Sequence, residues 1–322
     1  MPGTSPKITV VGVGAIGGWI AARLAIAGEQ VSALARGDTL GLVRAEGLRL
    51  EEQGEEFVAN VAAADNCQTL GEQDVVIIAV KAPALPALAS ELRPLIGAET
   101  IVVPMLNGVP WWFVDGEPLA SVDPGGSIAA AIPFDQVIGC VVHASSSRTA
   151  PNRVHVKHAD KLIIGEPSGE SSARLARLCA LLDCAGLKPD QTGNVRRAIW
   201  YKLWGNATIN PLSALTHATC DRILADPECR AWMLEGMAEL AAVGAAIGCP
   251  IGESGEDRMA VTARLGAFKT SMLQDVEAGR PIELEALLGA PREIARRAAI
   301  ETPALDRLYG VTKLMAESLG LG

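Results

Sequence analysis

Short, near-continuous apolar runs alternate with longer stretches of helical periodicity over the first 190 or so residues of the chain. Ile8-Thr-Val-Val11, Val31–Leu34, Val75–Val80 and Ile101–Val103 are apolar on successive positions and rich in β-branched residues. Such runs mark strands buried on both faces, as in a parallel sheet covered by helices. Val137–His143 and Leu162–Ile164 are candidates to extend that sheet. Residues 172–186 carry Leu175, Leu178 and Leu182 at helical spacing and end at Gly186. Beyond Gly193-Asn194 no strand-like run recurs, and Ala/Leu/Glu/Arg periodicity dominates to the end. The pattern predicts an α/β domain over residues 1–192 and an all-helical domain over 193–322.

Composition agrees with this division. A chain of 322 residues suits two domains at roughly 150 residues each. Hydrophobic residues make up 49% and charged residues 20%, enough apolar material for two cores, while 33 glycines and 4% aromatics fit an Ala/Gly-rich α/β protein. The net charge of −9 argues against a nucleic-acid binder, which needs a basic field over its contact surface. A small anionic ligand is still allowed, because one or two local cations suffice for it. Seven cysteines, odd in number and without C-x-x-C spacing, read as reduced thiols of a cytoplasmic protein. His155-x-x-His158 lacks a third ligand, so no metal site is expected. Ile8–Gly28 contains one charge, Arg23, and resembles a membrane span in length, yet five glycines interrupt it. It reads as a buried strand, a glycine turn and a helix, with no targeting segment and no membrane partner expected.

The glycine turn is the first chemical signal. Gly12-Val13-Gly14-Ala15-Ile16-Gly17 follows a predicted strand and opens a predicted helix whose apolar stripe is Ile16, Ile20, Leu24 and Ala27. In that setting the glycines permit the tight turn and let the backbone approach a pyrophosphate at the helix N-terminus, the fingerprint of a Rossmann-type dinucleotide-binding domain. The second strand ends in Arg36 rather than the Asp or Glu that would accept from a ribose 2′-OH. A guanidinium fork suits a 2′-phosphate, so NADP (as NADPH) is expected; the bland alternative is a loop arginine paired with Asp38. Two further strands lead into Lys81 and into Asn107-Gly108. Strand ends in open α/β sheets gather ligands, so both residues are candidates for cofactor or substrate contact, although either alone would pass for an ordinary loop residue.

The second signal is Ile199-Trp-Tyr-Lys202-Leu-Trp-Gly-Asn206-Ala-Thr-Ile-Asn210-Pro-Leu-Ser213. A helix aligns Lys202, Asn206 and Asn210 on one face. Their surroundings are apolar and aromatic, a costly place for three polar groups without partners. Pro211 is expected to bend or end the helix just after Asn210.

These residues resemble the ketopantoate reductase (2-dehydropantoate 2-reductase) family over nearly the whole chain. The resemblance rests on the glycine loop, Val80-Lys81-Ala82, Leu106-Asn107-Gly108, Trp200-x-Lys202-x3-Asn206-x3-Asn210-Pro211, and Ser271-Met-Leu-Gln-Asp275 followed by Glu283. It implies a Rossmann domain followed by a helical domain, with the active site between them. It further implies that Lys202 is the general acid, that Asn107, Lys202, Asn206, Asn210 and Ser271 hold a 2-oxo acid, and that Lys81, Asn107 and Glu283 contact the nicotinamide side of NADPH. Physical chemistry is compatible with those roles: hydride addition to a ketone builds charge on its oxygen, where a donor must sit. Glu283 has an alternative reading as a first-turn carboxylate favoured by the helix dipole, and Asp275 reads as a supporting or capping residue.

After Asn107-Gly108 the sequence departs from the commoner family pattern. Trp111-Trp112-Phe113 is unusually aromatic and the Gly/Pro-rich stretch 114–136 is long. Either core packing or a bulkier substrate pocket would account for it. The readings carried forward are therefore an NADPH-dependent ketopantoate reductase of pantothenate and coenzyme A synthesis, the same chemistry on another 2-oxo acid or ketone, and a non-catalytic dinucleotide-binding regulator. Expected partners are a small-molecule 2-oxo acid and, at most, a second copy of the chain in a homodimer.

Overall fold

The computed structural model describes residues 5–264 and 266–321. The chain divides into two compact units, one made of Met1–Leu106 with Gly126–Val195 and the other of Asn107–Gly125 with Arg196–Gly322.

The first unit runs β1 (Lys7–Val11), α1 (Ala15–Ile26), β2 (Gln30–Leu34), α2 (Gly37–Glu46), β3 (Leu48–Glu52), β4 (Glu55–Ala59), β5 (Ala62–Ala64), α3 (Cys67–Leu70), β6 (Gln73–Ile78), α4 (Leu85–Leu92) and β7 (Ile96–Pro104), and resumes with α5 (Ser127–Ala131), β8 (Gly139–Ala150), β9 (Arg153–Gly165), α6 (Ala173–Cys184) and β10 (Pro189–Gln191). Strands β5-β2-β1-β6-β7 form one sheet, every neighbouring pair parallel. All four apolar runs picked out in the sequence lie in it. The chain steps outward from β1 to β5, then crosses back to start β6 on the other side of β1. That reversal is the switch point at which such sheets bind dinucleotides.

The later apolar runs do not extend this sheet. They fall in β8 and β9, which pair antiparallel in a second sheet ordered β10-β9-β3-β4. The short Pro151-Asn152 turn makes β8 and β9 antiparallel to each other, and the pairing of β9 with β3, Arg49 opposite Arg153, places both in the second sheet. A single bridge, Val102 to Val137, ties the start of this region to β7.

Helix α1 packs against strands of both sheets. Trp19, Ile20 and Leu24 are buried, and a Cβ on Gly18 would lie 2.6 Å from Val154 Cγ2. Burial on several faces explains why the segment is apolar enough to resemble a membrane span. Its one charge, Arg23, is matched by Glu52 on β3 and lies over the Phe57 ring. Among the described residues, no helix is long and apolar enough to cross a membrane.

Among its described residues the second unit has no strand. It contains α7 (Val195–Thr216), α8 (Cys220–Ala225), α9 (Pro227–Ala246), α10 (Gly255–Ala263), α11 (Ser271–Glu277), α12 (Ala290–Arg297) and α13 (Pro303–Leu319), with a wide π-type turn over Glu285–Gly289 before α12. Of the bend or end expected at Pro211, the end does not occur, and α7 continues to Thr216. Proline removes one backbone hydrogen bond, but Ala207, Thr208, Ile209, Leu212, Ser213 and Ala214 are all buried around it. Burial of that extent outweighs one missing bond. Trp200 and Trp204 fix α7 to α9 by donating their indole N–H groups to the Leu240 and Met237 carbonyls at 3.0 and 2.8 Å.

Candidate active site

In the first unit the three glycines of the loop do three different things. Gly12 has φ +92°, and a Cβ there would come within 2.7 Å of Val80 Cγ1, so the loop lies directly against the end of β6. A Cβ on Gly17 would sit 1.9 Å from the Gly12 carbonyl oxygen, which makes glycine obligatory for closing the turn. A Cβ on Gly14 would meet nothing within 4 Å, and α1 starts there without a side-chain cap. An open backbone at an uncapped helix N-terminus is what a pyrophosphate needs. Val13, Ala15 and Ile16 complete the loop.

Lys81 follows β6, exposed, at the start of a short 3-10 turn whose Ala84 N–H bonds back to the Lys81 carbonyl at 2.9 Å. Arg36 stands just beyond β2 and caps the entry to α2 through its backbone. Its guanidinium is ion-paired with Glu91 on α4, not with the Asp38 of the alternative reading. Sequence separation hid this partner, 55 residues away. Beside the pair lies a depression of about 460 Å³ lined by Asp65, Asn66, Cys67, Gln68, Ser90, Glu91 and Pro94.

In the second unit Lys202, Asn206 and Asn210 keep the spacing of successive turns along α7. The Lys202 ammonium donates to Asn107 Oδ1 at 3.1 Å, and the Asn107 amide nitrogen donates to Glu283 Oε2 at 3.3 Å. One amide thus connects a cation to an anion, with its oxygen toward the lysine and its nitrogen toward the carboxylate. Glu283 is only 5% exposed, and a buried carboxylate needs such a donor. The arrangement presents an oriented ammonium and an oriented amide beside each other, a pair able to give a proton to an oxygen and to hold that oxygen's substituents.

Asn210 is buried, Asn206 half-buried. Ser271 opens α11, where Thr270 Oγ1 caps the helix by accepting from the Leu273 N–H at 3.2 Å. Ser271 is half-buried and is not a member of the hydrogen-bonded trio. Asp275 is buried and accepts from Arg280 Nε at 3.1 Å, fixing the reversal after α11. Trp111, Trp112 and Phe113 are at most 4% exposed, and Phe113 stacks on Trp200 with ring centres 5.8 Å apart. They form core of the second unit, which removes the reason for expecting a bulkier pocket from them.

The chain matches the family described as ketopantoate reductase PanE/ApbA over residues 8–169 and its C-terminal part over 194–316. It is 42% identical to the 2-dehydropantoate 2-reductase of Mesorhizobium japonicum, over 98% of this chain and 99% of that one. A solved structure from Ralstonia solanacearum, named a candidate ketopantoate reductase, is 50% identical with a TM-score of 0.95, covering 99% of this chain and all of the other. The 2-dehydropantoate 2-reductase of Methylococcus capsulatus is 30% identical at TM-score 0.85, with 98% of both chains covered. Fold and site together define a nicotinamide-dependent oxidoreductase. Within that class the chain belongs to the ketopantoate reductase family. The reading as a non-catalytic regulator is set aside.

Proposed function

We propose that this protein reduces 2-dehydropantoate to pantoate with NADPH, in the cytoplasm, and so serves pantothenate and coenzyme A synthesis. The observation that carries the reading is the Lys202–Asn107–Glu283 chain of hydrogen bonds, whose lysine shares one helix with Asn206 and Asn210. When bound, the cofactor would supply a hydride for the carbonyl carbon of the 2-oxo acid. Lys202 supplies the proton that the carbonyl oxygen takes up, so the ketone becomes a secondary alcohol. Asn107 holds the ammonium in place, and Asn206, Asn210 and Ser271 bind the carboxylate and hydroxyl groups of the substrate. Amides and a hydroxyl do this without adding a second full positive charge beside Lys202.

On this reading Gly12 to Gly17 hold the pyrophosphate, Lys81, Asn107 and Glu283 bear on the nicotinamide side, and Arg36 takes the 2′-phosphate. Glu91, paired with the same guanidinium, would compete with that phosphate for Arg36. A division at 192/193 assigns most cofactor contacts to the first part and the proton donor to the second. The test is NADPH oxidation followed across a panel of 2-oxo acids that includes 2-dehydropantoate. Fastest turnover of 2-dehydropantoate supports the assignment; a clear preference for another acid keeps the chemistry and changes the substrate.

A further inference from the structure

Asn107 is the first residue of the segment 107–125, which is attached to the second unit at both ends. At the near end, Val109 N–H donates to the Ala286 carbonyl at 2.8 Å. Gly108 presses against the same residue: φ is +78°, and a Cβ would lie 2.4 Å from the Ala286 oxygen. That carbonyl is available for a specific reason. In an α-helix it would accept from the Ala290 N–H, but in the wide turn Glu285–Gly289 that N–H goes to the Glu285 carbonyl instead. The next N–H along would be that of residue 291, and residue 291 is proline. The wide turn and Pro291 together leave the Ala286 carbonyl without a helical donor, and Val109 fills the place.

At the far end, Glu293 on α12 accepts from Ala120 N–H at 3.1 Å, Ser121 N–H at 2.9 Å and Ser121 Oγ–H at 2.7 Å. Arg297, bonded to Glu293 at 2.6 Å, donates to the carbonyls of Glu117 and Pro118, each at 2.8 Å. Between the two ends, Arg196 makes two hydrogen bonds to Asp115 at 2.6 and 3.0 Å, and Phe113 lies on Trp200. The wide turn and the start of α12 therefore anchor the segment carrying Asn107. They also follow directly after Glu283, the other partner of the Asn107 amide.

We propose that Pro291 and Glu293 are positioning residues for the reaction: they hold the 107–125 strap so that Asn107 keeps Lys202 in its working orientation. The proposal rests on Lys202 being the proton donor. It gives the helix irregularity and the proline a purpose beyond starting α12. Displacement of a catalytic group by about an ångström, caused from a distance, can cost on the order of a hundredfold in rate.

The discriminating variant is Pro291→Ala. It restores an N–H five residues after Ala286, able to compete with Val109, at a helix position where alanine is well tolerated. We expect kcat on 2-dehydropantoate to fall about five- to fiftyfold while NADPH affinity stays within about twofold and the melting temperature holds. Amide exchange at Val109 should quicken by about tenfold or more as its acceptor is shared. Glu293→Gln, assayed well below its melting temperature, should lower kcat in the same sense by loosening the far end. Unchanged kcat and unchanged Val109 exchange in folded Pro291→Ala overturn the proposal, as does a loss of kcat that only tracks a lower melting temperature. A wild type that reduces none of the acids counts against the functional reading instead, and the exchange measurement then decides whether Pro291 frees the anchor.

Discussion

The Lys202 ammonium donates to the Asn107 side-chain oxygen at 3.1 Å, across 95 positions of sequence. That bond joins a helix residue to a loop residue and orients the ammonium through an amide oxygen.

Lys202→Ala tests the donor role. A lysine that only binds substrate would chiefly raise KM when removed, and a structural lysine would lower stability. Loss of a general acid should instead lower kcat by about 10²–10⁴-fold, with NADPH affinity preserved. Steady-state kinetics, NADPH titration and a thermal melt on one preparation separate the three. A folded variant that binds NADPH and keeps kcat within about threefold of wild type sinks the mechanism.

Arg36 and Glu91 form an ion pair with both side chains about half exposed, at 60% and 49%. Exposed pairs are worth roughly 0–1 kcal/mol, so Glu91 restrains Arg36 only weakly. A carboxylate beside a 2′-phosphate also repels it. Arg36→Ala should therefore weaken NADPH about ten- to a hundredfold, the worth of a charge-assisted hydrogen bond. Glu91→Gln should tighten NADPH by up to about fivefold. NADH, without the phosphate, should bind nearly unchanged to both variants. Equal affinity of the wild type for NADPH and NADH in a fluorescence titration removes Arg36 from the phosphate site. Unchanged NADPH binding in Glu91→Gln removes only the competition.

The parallel sheet was legible because its strands are buried on both faces and so advertise themselves as unbroken apolar runs. The 202/206/210 stripe was legible because helical spacing groups three polar residues within an aromatic stretch. What escaped has one physical character: it depends on pairings distant in sequence. Arg36 pairs with Glu91, β9 pairs with β3 with Arg49 opposite Arg153, and Glu293 reaches back over 170 residues to Ser121. Pro211 misled for a related reason, since burial around α7 supplies more than the lost backbone bond removes. The four-residue spacing of Glu293 and Arg297 carries no sign of the Ser121 and Glu117 contacts that the pair makes.

Trp111 gives a stability prediction where the sequence suggested a specificity one. It is buried in the second unit, next to the Trp112-Phe113 pair whose phenylalanine stacks on Trp200. Trp111→Ala removes a fully packed indole, and such truncations cost about 3–5 kcal/mol. Urea unfolding should show that loss. In the protein that remains folded, the ranking of 2-oxo acids should match the wild type; a changed ranking with undiminished stability would return the segment to the substrate pocket.

Acid should release the strap through Glu293. Burial by itself would push this carboxyl up, but the Ser121 N–H and hydroxyl, the Ala120 N–H and the Arg297 guanidinium outweigh it and hold the group below its usual value of 4.5. A depressed folded-state value means that the unfolded chain takes up the proton first. The Glu293 contribution is therefore complete above the unfolded value and is lost as pH falls through the folded one. Asp115, held down by Arg196, and Glu166, lowered by Arg174 and Ser172 against its burial, follow the same rule, so the wild type as a whole weakens in acid. The difference between wild type and Glu293→Gln isolates the one group, because glutamine does not titrate. That difference should be roughly 1–3 kcal/mol, the worth of hydrogen bonds to a charged group, and level from about pH 8 to 5. Below about pH 4.5 it should shrink steadily as the pH falls toward and through the folded value. Urea titrations at half-unit pH steps measure it, and a gap that persists undiminished at pH 3 would mean that the strap is held by shape and not by the Glu293 charge.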